Sequence, residues 1–324
     1  MKKQMIGDLR IGDEVETQAV ILEANRSAFS SPHRAGEHFL RLTLGDVSGR
    51  VKAVMWDPPK EENAVQQDEV VFIRGTVGDY HGPQVVISDL RKLDSEKVNR
   101  AFFQPVSRRD RAGMLDELRE IIAGIGDKNL CRLLDAFFGD EQFAHRFAAA
   151  PAARTIHHNW VGGLLEHTLE VVSLCRSLAA LYPGPIREDL LISGAILHDI
   201  GKIEEYRLDS LSFEFTDRGK LVGHISIGKE MLDEKIAGLP DFPDALKLEI
   251  EHMILTHHGM REWGSPEIPK TIHAFTLFHA DLVSARLNQF VTVMEKHVPE
   301  SGDWTEWDRF LERSIFVRPS REED

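Results

Sequence analysis

Residues 190–202 read Leu190-Leu191-Ile192-Ser193-Gly194-Ala195-Ile196-Leu197-His198-Asp199-Ile200-Gly201-Lys202. Eight mostly apolar residues lead straight to a histidine and an aspartate. The run is apolar on more than one face, which is the pattern of a helix buried in a protein interior rather than laid on its surface. It carries an imidazole and a carboxylate into the core. A buried carboxylate is costly unless it is paired or coordinated. A dry ion pair is one solution, and an Asp capping the next segment beside a hydrogen-bonded core histidine is another. The adjacent His198 makes a metal ion the better partner. A His-Asp dipeptide alone is common; followed by Gly201-Lys202 it is far more specific.

Outward from this run, the chain from Ser107 onward is helical by period. Helices are expected at Arg111–Ala123, Asn129–Phe138, Glu141–Ala149, Gly163–Leu181, Glu188–His198, Val222–Ile236, Pro243–His257 and Lys270–Phe290. Asp241 is the expected N-cap of the Pro243 helix. Glu204–Phe215 alternates weakly, as a hairpin would. Several of these helices carry polar residues at inward positions. His167 shares a stripe with Val171, Leu174 and Leu178. His224 opens one helix, His257 and His258 end another, and Asp281 interrupts an apolar one. Each alone fits a hydrogen-bonded core residue. Together, five separate unexplained buried polar positions are harder to accept than one shared site.

The first ninety residues read differently. His38–Leu44 and Arg50–Trp56 alternate with period two around the turn residues Asp46, Ser48 and Gly49. Glu14–Glu23, Glu69–Val77 and Gln84–Leu90 add three more strands, with one interruption at Pro58–Gln67. Five short strands of this kind suggest a small barrel. The chain is therefore expected to be multidomain, a small all-β barrel followed by an all-α body. The expected boundaries are a barrel at 1–95, a linker at 96–110, the helical body at 111–318 and a charged tail at 319–324.

Composition narrows the function classes. The chain has 324 residues, 42% of them apolar and 28% charged, as in ordinary globular proteins. No apolar run approaches the ~20 residues needed to span a bilayer. The start lacks the apolar core of a signal peptide. Cys131 and Cys175 are the only cysteines, too few for a disulfide framework or a thiolate zinc cluster, so a cytoplasmic location is the default expectation. A balance of 39 Lys+Arg against 53 Asp+Glu, net −14, argues against gripping duplex DNA with a broad basic surface. A membrane partner is not expected; a homo-oligomer is compatible with the chain. Fifteen histidines are present, and eight lie between His157 and His258.

Imidazole-rich sites with a few carboxylates suit Mn, Fe, Co, Ni or Zn better than Mg or Ca. Two aspartates against two divalent ions leave residual positive charge suited to a phosphodiester. Such ions can acidify a water and clamp a leaving oxygen. No G-x-S-x-G and no Cys–His signature offers a protein nucleophile instead.

The H…HD…D pattern with Gly201-Lys202 resembles the HD superfamily of metal-dependent phosphohydrolases. The longer run FAAAPAARTIHHNWVGGLLEHTLEVV (147–172) resembles the YhaM-type 3′→5′ exoribonucleases. So do LHDIGK, GHISIG, LTHHG followed by WGSPEIPKT, and WTEWDRFLERSIF. The resemblance covers most of residues 143–316. FLRLTLGDVSGRVKAVMWD (39–57) is similar to the strand–turn–strand of that group's N-terminal OB-fold domain. The resemblance implies that His167, His198, Asp199 and Asp281 are core metal ligands. It implies that Asp199 bridges two ions, manganese being the first expectation. It adds His224 and the His257/His258 pair as the further histidines of binuclear members. It also implies that Lys202 faces a substrate phosphate, that His158 contacts phosphate, and that Arg261 binds nucleic acid. One departure stands out. The group shows Leu-His before the late Asp and Leu-Asp-Ala after it; here the run is Leu277-Phe278-His279-Ala280-Asp281-Leu282-Val283-Ser284-Ala285.

If Leu40, Leu42 and Leu44 face the barrel core, Phe39, Arg41 and Thr43 face out; if Val51, Ala53 and Met55 face in, Lys52 and Trp56 face out. Phe39, Trp56, Arg41 and Lys52 would then form a platform for single-stranded RNA or DNA. With 12 Lys+Arg and 15 Asp+Glu over residues 1–95, its affinity is expected to be modest and salt-sensitive. The expected function is a metal-dependent 3′→5′ exonuclease that hydrolyses single-stranded RNA, and DNA as a further substrate, to nucleoside 5′-monophosphates by metal-activated hydroxide. The alternatives are a nucleotide or cyclic-dinucleotide phosphohydrolase, and a non-enzymatic OB-fold adaptor with a degenerate HD body.

Overall fold

The computed structural model describes residues 4–29, 32–34, 36–58, 65–80, 82–94, 98–99, 102–153, 158–208, 211–296 and 303–317. Most of the interruption at 58–67, parts of the expected linker and the 319–324 tail lie outside the described residues. The chain divides into two compact units: residues 1–105 with 209–212, and residues 106–208 with 213–324.

The first unit is a closed five-stranded barrel. Its strands are β1 (Glu14–Ala28), β2 (His38–Asp46), β3 (Gly49–Met55), β4 (Val70–Asp79) and β5 (Pro83–Lys92). They close in the order β1-β2-β3-β5-β4. Every pairing is antiparallel except β3 with β5. This five-stranded Greek-key closure is the OB topology. β1 runs longer than its alternation suggested because it serves two neighbours. Glu14–Val20 pair with β4, Val20–Ala28 pair with β2, and a register shift between Ile21 and Glu23 bends the strand between them. Alternate residues such as Val15, Ile21, Leu42, Leu44, Ala53 and Ile73 fill the interior.

The second unit is helical: α1 (Arg111–Ala123), α2 (Lys128–Phe138), α3 (Glu141–Ala149), α4 (Gly163–Leu181), α5 (Glu188–Leu197), α6 (Lys202–Glu205), α7 (Asp217–Leu221), α8 (His224–Ala237), α9 (Asp244–Thr256) and α10 (Ile272–Lys296). Asp110, Asp127 and Asp140 cap α1, α2 and α3 through side-chain oxygens that accept first-turn N–H groups. α5 is the hub. Leu190 through Leu197 are all buried, and α2, α4, α9 and α10 pack around it. No surface-facing stripe is needed in a helix surrounded on every side. Among the described residues no helix is long and apolar enough to cross a membrane.

Two local expectations fail. Asp241 does not cap α9: its own φ is +58°, and Pro243 occupies the N-cap position without a side-chain bond. The weak alternation of 204–215 does not make a hairpin. Glu205 ends the short helix α6, and a single antiparallel bridge, Tyr206 with Phe215, closes the loop that follows.

Candidate metal centre

Asp199 lies in the turn after α5, only 2% exposed, and its two oxygens face different partners. Oδ2 lies 3.2 Å from His198 Nε2 and 3.8 Å from His167 Nε2. Oδ1 lies 3.4 Å from His257 Nε2 and 3.6 Å from His224 Nε2. His167 Nε2 is also 3.0 Å from Asp281 Oδ1. Two sets of potential ligand atoms result, each within 4.8 Å internally: His167, His198 and Asp199, and His224, His257 and His258. Helices α4, α5, α8, α9 and α10 each bring a ligand to this point from distant sequence.

The tautomers are set by what lies behind each ring. His198 Nδ1 is 2.7 Å from the Ala195 carbonyl, His257 Nδ1 2.7 Å from that of Ile254, and His258 Nδ1 2.9 Å from that of Trp263. A carbonyl can only accept, so these nitrogens carry the proton. His224 Nδ1 lies 2.9 Å from Glu205 Oε1. His167 Nδ1 lies 3.0 Å from Ser284 Oγ, whose own hydroxyl donates to Glu170 Oε2 at 2.7 Å. Each Nε2 therefore presents a lone pair toward the centre, as metal-ligating imidazoles do. His198 Nε2, His224 Nε2, His257 Nε2 and Asp199 Oδ1 are buried without a hydrogen bond. Converging basic atoms left in this condition fit a cation, and the all-nitrogen-and-carboxylate donor set fits a transition metal.

Electrostatics agree. Burial would raise the Asp199 carboxyl, but Lys202 and His198 outweigh it and hold it well below the usual range. Burial likewise opposes ionisation of Asp281 and loses to His167. Burial lowers His257 and His167 against the pull of their carboxylates. His258 is pushed down to about 3 by burial and by His257 and His224. Burial would lower His198 too, but Asp199 beside it prevails and raises it. Two carboxylates that stay ionised beside largely neutral imidazoles form a ready ligand set.

Two glycines permit the geometry. A Cβ on Gly201 would lie 2.0 Å from the His224 carbonyl oxygen and 2.7 Å from Gly228 N, so only glycine lets the turn after Asp199 approach α8. Gly259, at φ +77°, follows the His257-His258 pair, and a Cβ there would meet the Phe278 ring at 2.2 Å.

Other expected site residues sit elsewhere. Lys202 does not reach outward for a phosphate: it is buried, with Nζ 2.6 Å from Asp199 Oδ2. It neutralises one side of the shared carboxylate. His158 also does not present its ring to a substrate. It is fully buried at φ +45°, with Nε2 3.2 Å from both Glu170 Oε1 and Asn288 Nδ2. Arg261 is on the surface, donating to Glu267 at 2.8 Å. The sequence reading missed Glu170, Glu205, Ser284 and Asn288, the residues that orient the ligands and their neighbours. Glu170 is three residues beyond His167 and Ser284 three beyond Asp281. The i, i+3 spacing, which puts both on the faces of their ligands, was the available signal.

On the barrel, Arg41 and Lys52 are exposed and Trp56 is 42% exposed, but Phe39 is not an open platform. Phe29 from just beyond β1 covers it at 4.9 Å between ring centroids, and Trp56 lies 5.1 Å away on its other flank. Leaving the barrel core did not mean reaching solvent. Arg34 stacks on Phe29 at 3.7 Å, and Arg41 lies 5.2 Å from the Phe39 ring.

Comparison with known proteins adds the lineage. The HD domain family matches residues 164–286, the interval holding His167 through Asp281. Among solved structures, the second OB-fold domain of replication protein A from Methanococcus maripaludis matches 29% of this chain and 97% of its own, at 18% identity and TM-score 0.26. Three relatives carry the name 3′-5′ exoribonuclease YhaM. That of Listeria monocytogenes EGD-e is 32% identical over 99% of this chain and 100% of its own length. That of Geobacillus sp. WCH70 is 30% identical over 95% and 93%, and that of Bacillus subtilis 168 is 31% identical over 96% of each. With identity at this level running nearly end to end, and the histidine–aspartate set inside the HD match, the chain belongs to the YhaM family of 3′-5′ exoribonucleases.

Proposed function

We propose that this enzyme is a metal-dependent exonuclease that removes nucleoside 5′-monophosphates from the 3′ end of single-stranded RNA, with single-stranded DNA as a further substrate. The observation that carries the reading is Asp199, whose Oδ2 faces His167 and His198 while Oδ1 faces His224 and His257. A carboxylate with imidazoles on both sides suits two divalent cations sharing it, and two cations are what an in-line phosphodiester displacement uses. The direction and the ribonucleotide substrate are taken from the names of the relatives.

His167, His198, Asp199 and Asp281 would hold one cation, and His224, His257, His258 and Asp199 the other. Manganese is the first choice, with Fe, Co, Ni and Zn compatible with the same donors. Bound there, the cations would neutralise the phosphodiester and lower the pKa of a water to near neutrality. The protein's part is positional. Backbone carbonyls, Glu205 and Ser284 lock the five rings with Nε2 inward, so no reorientation is needed when substrate arrives. Lys202 keeps Asp199 ionised. The barrel would supply sequence-tolerant strand affinity through Trp56, Phe29, Arg41 and Lys52.

Manganese-supplemented digestion of 5′-labelled twenty-nucleotide RNA and DNA, resolved at single-nucleotide steps, tests the reading. A ladder descending from full length supports it. Internal cuts, or an intact oligonucleotide beside rapid hydrolysis of a cyclic dinucleotide, would contradict it.

A further inference from the structure

Helix α10 carries Asp281 inward, but its outer face is unusual for a soluble protein. Ile272, Phe275, Val283, Leu287, Val291 and Met294 are each 38–60% exposed. Their spacing of three, eight, four, four and three, with half-buried His279 filling the gap, makes one continuous stripe on a helix. Over the stripe's length the helix rises ~33 Å. From Leu282 to Met294 only Arg286 is charged, and its guanidinium is occupied by Gln289 and the Phe310 carbonyl.

The segment that packs beside this stripe extends the apolar surface. Leu311 and Ile315 dock on Val293 and Phe290 of α10. The same segment leaves Trp304, Trp307, Phe310 and Phe316 exposed, the two tryptophans by more than 60%. Together these side chains expose on the order of 1,000 Å² per chain, well above the few hundred of an ordinary monomer's largest patch.

We propose that this face is the interface between two copies of the chain, with the two α10 helices crossing antiparallel about a two-fold axis near Val283. The area is what a stable dimer needs, since standard interfaces take ~800 Å² from each partner. The composition is that of an interface core, with Trp, Phe, Met and a single Arg present and Lys, Asp and Glu missing. Charge favours a second copy over other partners. At net −14 two copies repel through most of their surfaces, and this face is poor enough in charge for them to meet. A nucleic acid finds no row of cations here. The stripe is also self-complementary. Antiparallel pairing sets Ile272 and Phe275 of one copy against Val291 and Met294 of the other, as an isologous contact requires.

The test is sedimentation equilibrium of the full chain. The expected wild-type mass is twice 36.7 kDa. Leu287→Arg/Val291→Arg should weaken the dimer at least ~100-fold, giving a chain of 36.7 kDa with cooperative melting retained. Leu248→Arg, at an exposed apolar position on α9, should leave the dimer intact. In a Cys131→Ser background, Val283→Cys should cross-link to itself under mild oxidation, which tests the axis without charge substitutions. A monomeric wild type overturns the proposal, whatever else then covers the face. So does a dimer that survives the double substitution and fails to cross-link at position 283.

Discussion

Ser284 is the sharpest place to perturb the centre without touching a ligand. Its Oγ accepts from His167 Nδ1 at 3.0 Å and donates to Glu170 Oε2 at 2.7 Å, and it is 2% exposed. Ser284→Ala removes both bonds and leaves space for the His167 ring to turn. Losing such an outer partner lowers metal affinity by ~10–100-fold, or about 1.4–2.8 kcal/mol. Glu170 keeps His158 at 3.2 Å, so the direct stability cost should stay within the ~1–3 kcal/mol of one buried group losing its partner. Calorimetric titration of manganese into chelator-stripped protein measures the first quantity, and thermal melting of the same samples measures the second. Ser284→Thr, which keeps the hydroxyl, should bind metal more tightly than the alanine variant. If Ser284→Ala binds manganese within ~2-fold of wild type, the orientation argument fails for His167.

Three further outcomes follow from the geometry. Asp199→Ala should abolish hydrolysis, and it should also cost ~3–5 kcal/mol of stability because buried Lys202 loses its partner; adding Lys202→Met should restore the stability but not the activity, as paired melting and turnover assays would show. Gly201→Ala should lower stability by about 1–3 kcal/mol through the clash with the His224 carbonyl, and an unchanged denaturation midpoint would contradict the close approach of α6 and α8. Trp56→Ala should raise KM for a twenty-nucleotide RNA by ~1–3 kcal/mol of lost stacking and leave cleavage of a dinucleotide unchanged; equal losses on both would deny the barrel a role in holding the strand.

Much of this organisation was legible in the residues. Period-two alternation marked the barrel strands, and the apolar run ending in His198-Asp199 marked the central helix. The convergence of His167, His198, Asp199, His224, His257, His258 and Asp281 followed because each was a polar residue at an inward helical position. What was not legible depended on contacts between distant segments. Phe39 leaves the barrel core by alternation, but only the fold shows Phe29 covering it. Lys202 looked available to substrate because sequence spacing does not reveal that its ammonium turns back three residues to Asp199. Asp241 has the chemistry of a cap, yet its positive φ and Pro243 move the helix start beyond its reach. The altered run after Asp281 reads as a loss of family pattern, whereas Ser284 within it holds His167. The intact ligand geometry, together with family membership, argues against the adaptor reading.

The most direct test of the account is an anomalous difference map from crystals grown with manganese. Two peaks should appear on either side of Asp199, one against His167, His198 and Asp281, the other against His224, His257 and His258. Manganese elsewhere on the chain, with these side chains still packed against one another and no density between them, would contradict it.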